Sequence, residues 1–244
     1  MIKLLFLLFT GLKLSKVLVT GGSMLLSLGV YALIFGWRYA AGFIGLIFVH
    51  EMGHFIAARQ RGLNVGAPTF IPFVGAWIQL KEMPHDVETE AYIGLAGPVA
   101  GTLAALVCYW FGRGGEGGSG LMLALAYAGF FINLFNLIPI SPLDGGRITA
   151  VLSPRIWLLG VPVLVGFFLW RPSPILILVA VMAAPQIMQA WRYDPQAPEN
   201  RSYYSINAET RVTYTLFYLG LVAFLALMCH DLHEMLGDAR AAGV

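Results

Sequence analysis

Seven apolar stretches, each close to the length a helix needs to cross bilayer hydrocarbon, take up most of this 244-residue chain. They fall at about 17–36, 40–58, 91–111, 121–140, 153–170, 174–191 and 213–230. The connections are short, as in the Gly-rich 113–120 and the Arg-Pro-Ser-Pro at 171–174. Backbone in lipid must satisfy its hydrogen bonds internally, so such stretches fold as helices. Only 11% of the residues are charged, against roughly 25% in soluble domains. The expected fold class is therefore an α-helical polytopic membrane protein with about six to seven transmembrane helices. Residues 1–244 read as one membrane-embedded domain, with no stretch left for a separate soluble one. A net charge of +2 marks no nucleic-acid surface. The apolar opening lacks a small-residue cleavage site before Lys13 and Lys16, so 1–16 reads as an interfacial helix or partial span.

Basic residues orient the chain. With its start in the cytoplasm, eleven of the fifteen Lys and Arg residues lie inside, and Arg38, Arg113, Arg171 and Arg240 lie outside. The bias places the protein as a multi-pass cell-membrane protein with that orientation. Segment 62–90 departs from the helical pattern. Its apolar run Phe70–Leu80 holds Pro72 and Gly75 and is too short to cross as a helix. Its aromatic and β-branched content predicts extended structure, re-entrant or interfacial in the bilayer.

Chemistry enters in the second stretch, where His50, Glu51 and His54 form an H-E-x-x-H. Four residues of helix advance about 400°, so the two imidazoles lie one turn apart and about 40° from each other. Both can reach one zinc ion, with Glu51 beside them to take a proton from the water that a zinc acidifies. A charged side chain at mid-span costs about 2.5–3.5 kcal/mol. Three ionisable residues there need a metal, a water cavity or a structural hydrogen-bond cluster.

Two histidines and a water leave one protein ligand to find. Asp144 is the strongest candidate. The stretches 40–58 and 121–140 run in the same direction, with one return span between them. His54 lies five residues before Arg59 and Asp144 three before Arg147, so both approach the cytoplasmic face at similar depth. Pro139 and Pro142 should end the helix before Asp144, and Gly145 and Gly146 allow a tight turn there. Asn136 is a candidate to steady a scissile carbonyl or its oxyanion, or to make an ordinary interhelical hydrogen bond, and the bond alone is the reading for Asn133.

These residues resemble the site-2 protease family of intramembrane zinc metalloproteases. The likeness rests on His-Glu-Met-Gly-His at 50–54, on Asn136, Pro139, Leu143, Asp144 and Gly145, and on Ala-Gly-Pro-Val-Ala-Gly at 96–101. It covers roughly 40–150, the expected catalytic core. The resemblance implies one zinc per chain held by His50, His54 and Asp144, with Glu51 as acid and base. It implies cleavage of membrane-spanning or membrane-anchored proteins, and a β-type element at 62–85 beside the site. The chain reads as a compact form without an inserted PDZ module or regulatory domain.

Other readings stay in view. A metal or proton transporter also carries intramembrane His and carboxylate groups, though on both membrane halves rather than near one face. A non-catalytic scaffold would be expected to have lost Glu51 or a ligand. His85, Asp86, Glu88 and Glu90 read as a solvated loop, His230 and His233 as an exposed terminal helix. Cys108 and Cys229, both in apolar stretches, make no disulfide framework.

Overall fold

In a computed structural model of the protein, residues 20–66, 68–72, 75–77, 82–114 and 119–241 are described. The expectations for residues 1–16 lie outside them, as does part of the 70–80 run. Each of the seven apolar stretches carries a helix among its described residues. The first, described from Thr20 to Phe35 (α1), meets Trp37–Gln60 (α2) at a single residue, Gly36. Gly36 has φ +83°, a conformation that costs glycine little, and the chain folds back there. Tyr31 of α1 then meets Phe43 of α2 edge-to-face, with ring centroids 5.3 Å apart. At its other end α2 closes on Gly62, with φ +78°. There Leu63 N donates to Ala58 O and Gly62 N to Arg59 O, the paired bonds of a Schellman motif.

A two-stranded antiparallel hairpin follows, Thr69–Ile71 (β1) with Gly75–Trp77 (β2), in the register Thr69 to Trp77. Extended structure is thus present in the non-helical segment. Phe70 is buried in the α1–α2 cluster, its N–H donates to Ser23 Oγ of α1 at 3.1 Å, and its ring stacks against Phe48 of α2.

The long helix Val87–Gly112 (α3) lies between α2 and Gly120–Asn136 (α4). Asp86 caps α3 by accepting Thr89 N–H at 2.7 Å. Small residues set the spacing, as expected where membrane helices approach closely. A Cβ on Gly53 of α2 would lie 2.4 Å from Ala96 O, and one on Gly129 of α4 would lie 2.8 Å from Ala105 Cβ. Helix α4 ends at Asn136, four residues short of the apolar run, ahead of Pro139 and Pro142. The short helix Asp144–Thr149 (α5) and a 3-10 turn at Pro154–Leu159 follow, then Gly160–Trp170 (α6) and Pro174–Trp191 (α7). The six-residue Pro198–Tyr203 (α8) leads into Ala208–Ala241 (α9), which packs along α4 through Leu225 and Leu232.

Among the described residues four helices are long and apolar enough to cross a membrane by length and composition: α2, α3, α7 and Ala208–Gly237 of α9. Thr20–Phe35, α4 and Pro154–Trp170 are shorter apolar helices. Large apolar side chains such as Leu33, Trp110 and Leu169 face outward, and a group of polar contacts gathers at one end. There Arg61 lies 3.5 Å from Glu88, Tyr203 donates to Glu90, Arg155 donates to Tyr193 O and Arg211 to Leu152 O.

Candidate metal centre

His50 and His54 lie one turn apart on the buried face of α2, with their Nε2 atoms 3.1 Å from each other. The first residue of α5, Asp144, meets them both. Its Oδ2 is 3.2 Å from His50 Nε2 and its Oδ1 3.2 Å from His54 Nε2. All three side chains are buried. Among the described residues no other trio of His, Cys, Asp or Glu side chains converges closely enough to hold a metal.

The far sides of the rings decide what faces inward. His54 Nδ1–H donates to the backbone carbonyl of Ile93 on α3, at 2.7 Å. His50 Nδ1–H donates to Asn133 Oδ1 on α4, at 2.8 Å. The Asn133 amide is itself oriented, because its Nδ2 donates to Gly129 O at 2.7 Å and a carbonyl can only accept. With both Nδ1 atoms engaged outward, the two Nε2 atoms face one another and a carboxylate. Three such donors gathered out of water form a set that one metal cation between them would satisfy. A tetrahedral zinc with ligands at 2.0–2.1 Å sets its donors about 3.3–3.4 Å apart. The observed separations of 3.1 to 3.2 Å fit that ion closely. Hydrogen bonds from the outer ring nitrogens are what zinc-ligating histidines ordinarily make.

Two glycines of α3 make this approach feasible. A Cβ on Gly97 would lie 2.2 Å from His54 Nε2, and one on Gly101 would lie 2.4 Å from Asn133 Oδ1. The Ala-Gly-Pro-Val-Ala-Gly stretch therefore seats His54 and the partner of His50.

Close packing, rather than turning, is also what Gly145 and Gly146 supply. Both are helical in α5 rather than in a turn of positive φ. A Cβ on Gly145 would lie 2.2 Å from Leu137 O, and one on Gly146 would lie 2.2 Å from Ser141 N. Absence of side chains lets α5 press onto the 137–141 backbone, which brings Asp144 to the histidines. Trp157 Nε1 donates to Gly146 O at 2.8 Å and Thr149 Oγ1 to Gly145 O at 2.7 Å. Tyr218 of α9 donates to Leu137 O at 2.7 Å.

Glu51 is buried beside His50. Asn136 is half-buried at the end of α4, three residues beyond Asn133 and about 300° around the helix, so close to the same face. His230 stands apart on exposed α9, 3.5 Å from Glu234. Glu88 and Glu90 pair with Arg61 and Tyr203, so the polar run at 82–90 caps α3 and ties down its start. Both cysteines are free. Sequence reasoning missed Asn133, Gly97 and Gly101 as parts of the site. The signals were an amide in an otherwise apolar stretch and the glycines of 96–101, and neither named its partner.

Residues 38–117 match the sequence model of peptidase family M50. Zinc metalloprotease MJ0392 of Methanocaldococcus jannaschii is 32% identical over 114 residues, 45% of this chain and 32% of that protein. Probable zinc metalloprotease EGY1, chloroplastic, of Arabidopsis thaliana is 40% identical over 80 residues, 31% of this chain and 14% of that protein. The chain spans a third or less of the length of these curated relatives. The solved structure of a site-2 protease from Methanocaldococcus jannaschii aligns with TM-score 0.46 at 22% identity, covering 70% of this chain and 87% of that one.

Proposed function

We propose that this chain, in which residues 38–117 form a peptidase family M50 segment, is an intramembrane zinc endopeptidase of the site-2 type. One observation carries the reading: two buried imidazole nitrogens and a buried carboxylate lie within 3.2 Å of one another, with both outer ring nitrogens already engaged. His50, His54 and Asp144 hold one zinc ion per chain. Bound there, zinc supplies Lewis acidity, which makes water nucleophilic near neutral pH and polarises a peptide carbonyl. Glu51 takes a proton from the attacking water and passes it to the leaving amine nitrogen. Asn136 offers its amide to the carbonyl oxygen of the scissile bond.

The substrate is a membrane-spanning or membrane-anchored protein. Its peptide bonds are hidden in helical hydrogen bonds, so a locally extended stretch must be held for cleavage, and a sheet edge can hold one. The hairpin β1–β2 takes that part. Its anchoring on α1 and α2 through Phe70, whose ring stacks on Phe48 two residues before His50, supports this. The four long and three shorter apolar helices support about seven crossings, with the hairpin re-entering the bilayer. Residues 40–150 form the catalytic core of a single domain. Clustering of Arg61, Arg155 and Arg211 at one polar end supports a cytoplasmic position for that end and for the nearby site. The zinc metalloprotease names of the relatives accord with the donor set.

Metal analysis of the purified chain with a membrane-protein substrate tests the reading. The wild type should carry about one zinc per chain. Glu51→Gln should retain it while cleavage falls by at least about 100-fold, the scale of a lost general base. Undiminished cleavage by that variant would rule out Glu51 as the base.

A further inference from the structure

We infer that Asn133 is a positioning residue of the metal centre: by accepting the Nδ1–H of His50 it fixes the tautomer and aim of that ring, and Gly101 is the seat that lets its amide do so. The inference rests on the zinc-site reading above and concerns a residue distinct from Asn136.

The two zinc-facing histidines are held by different means. His54 is held by a backbone carbonyl, that of Ile93, which no side-chain substitution removes. His50 depends on a side chain, Asn133, which is 1% exposed. That amide has no freedom to reverse. Its Nδ2 is committed to Gly129 O one turn back in α4, and reversal would set an N–H₂ group against the Nδ1–H of His50 while two carbonyl oxygens met. The amide lies flat against α3 where Gly101 leaves room. An added Cβ there would lie 2.4 Å from Oδ1 and 2.6 Å from Nδ2. Thus α3 supplies the outer partner of one histidine and the space for the partner of the other. Were Asn133 an interhelical tie alone, its replacement would loosen α4 from α2 without a specific effect on metal.

The test compares zinc affinity, by chelator competition, and the visible spectrum of the cobalt(II)-substituted form in detergent-solubilised full-length chains. Asn133→Leu should weaken zinc binding by about 10- to 100-fold, the effect expected of losing an outer-sphere partner of a ligating histidine, and should alter the cobalt spectrum. Asn133→Asp, which keeps an acceptor oxygen in place, should recover most of the affinity. Gly101→Ala, which displaces the amide without removing it, should act in the same direction as Asn133→Leu. Wild-type affinity and an unchanged spectrum in Asn133→Leu and Gly101→Ala would overturn the inference. An Asp variant no better than the Leu variant would assign Asn133 a structural role instead. Should Asn133→Leu fail to fold, Gly101→Ala and Asn133→Asp still decide. A wild-type chain that binds no zinc would overturn the zinc-site reading itself.

Discussion

Gly97 shows how finely single atoms govern this site. No atom but hydrogen fits between its Cα and the His54 ring, since a Cβ would lie 2.2 Å from Nε2. Gly97→Ala should therefore displace His54, the proposed ligand, and lower zinc content to less than about a tenth of wild type, in line with the 10- to 100-fold effects of disturbing ligand geometry. Gly45→Ala is the natural control. It lies on the same helix as the histidines but has nothing within 4 Å of its would-be Cβ. Metal analysis and circular dichroism of the two variants should show lost zinc in the first only, with helix content retained in both. H-E-x-x-H was legible because helical periodicity alone sets its two histidines side by side. The requirement at Gly97 was not, because it arises from contact with another helix.

At the scale of elements, α5 decides whether there is a site at all. It carries Asp144, and its position depends on the backbone of 137–141 pressing against two glycines. Gly146→Ala would thrust a methyl to 2.2 Å from Ser141 N, a backbone atom that cannot swing aside. We expect that variant to lose zinc and to unfold at lower temperature in a thermal shift assay, by about 1–3 kcal/mol on the scale of overpacking. The sequence pointed to Asp144 through span parity and the nearby arginines, and the structure sets it beside both histidines. They assigned the glycines to a turn, whereas the chain uses them for close approach within a helix. Composition identifies a residue without a side chain, but only packing tells whether the missing atoms free the backbone or admit a neighbour. The hairpin at 69–77 was legible as extended, since proline and glycine exclude a helix there. Its anchor on Ser23 was not, because that bond joins residues 47 apart in the chain.

For the molecule as a whole, the stretch after α7 serves as a cap on the polar end. Tyr203 donates to Glu90 at the start of α3, and Tyr204 packs edge-on against Tyr193 and Tyr203. Burial, with Glu90 nearby, pushes the Tyr204 phenol up to about 12. The unfolded chain would release that proton near pH 10, while the folded chain holds it to about pH 12. Stability from this group is therefore complete below pH 10 and is lost progressively toward pH 12. Thermal midpoints measured across that range should fall, and Tyr204→Phe should flatten the decline. By itself the sequence determined the helical membrane class, the seven apolar segments, the extended interruption and the paired histidines. All of these follow from hydropathy or periodicity along one continuous piece of chain. Tertiary structure alone decided that Asn133 bonds His50, that a carbonyl of α3 bonds His54, and that glycines on four helices set the distances. Those are contacts between segments far apart in sequence, and they exist only once small residues have let the backbones come together.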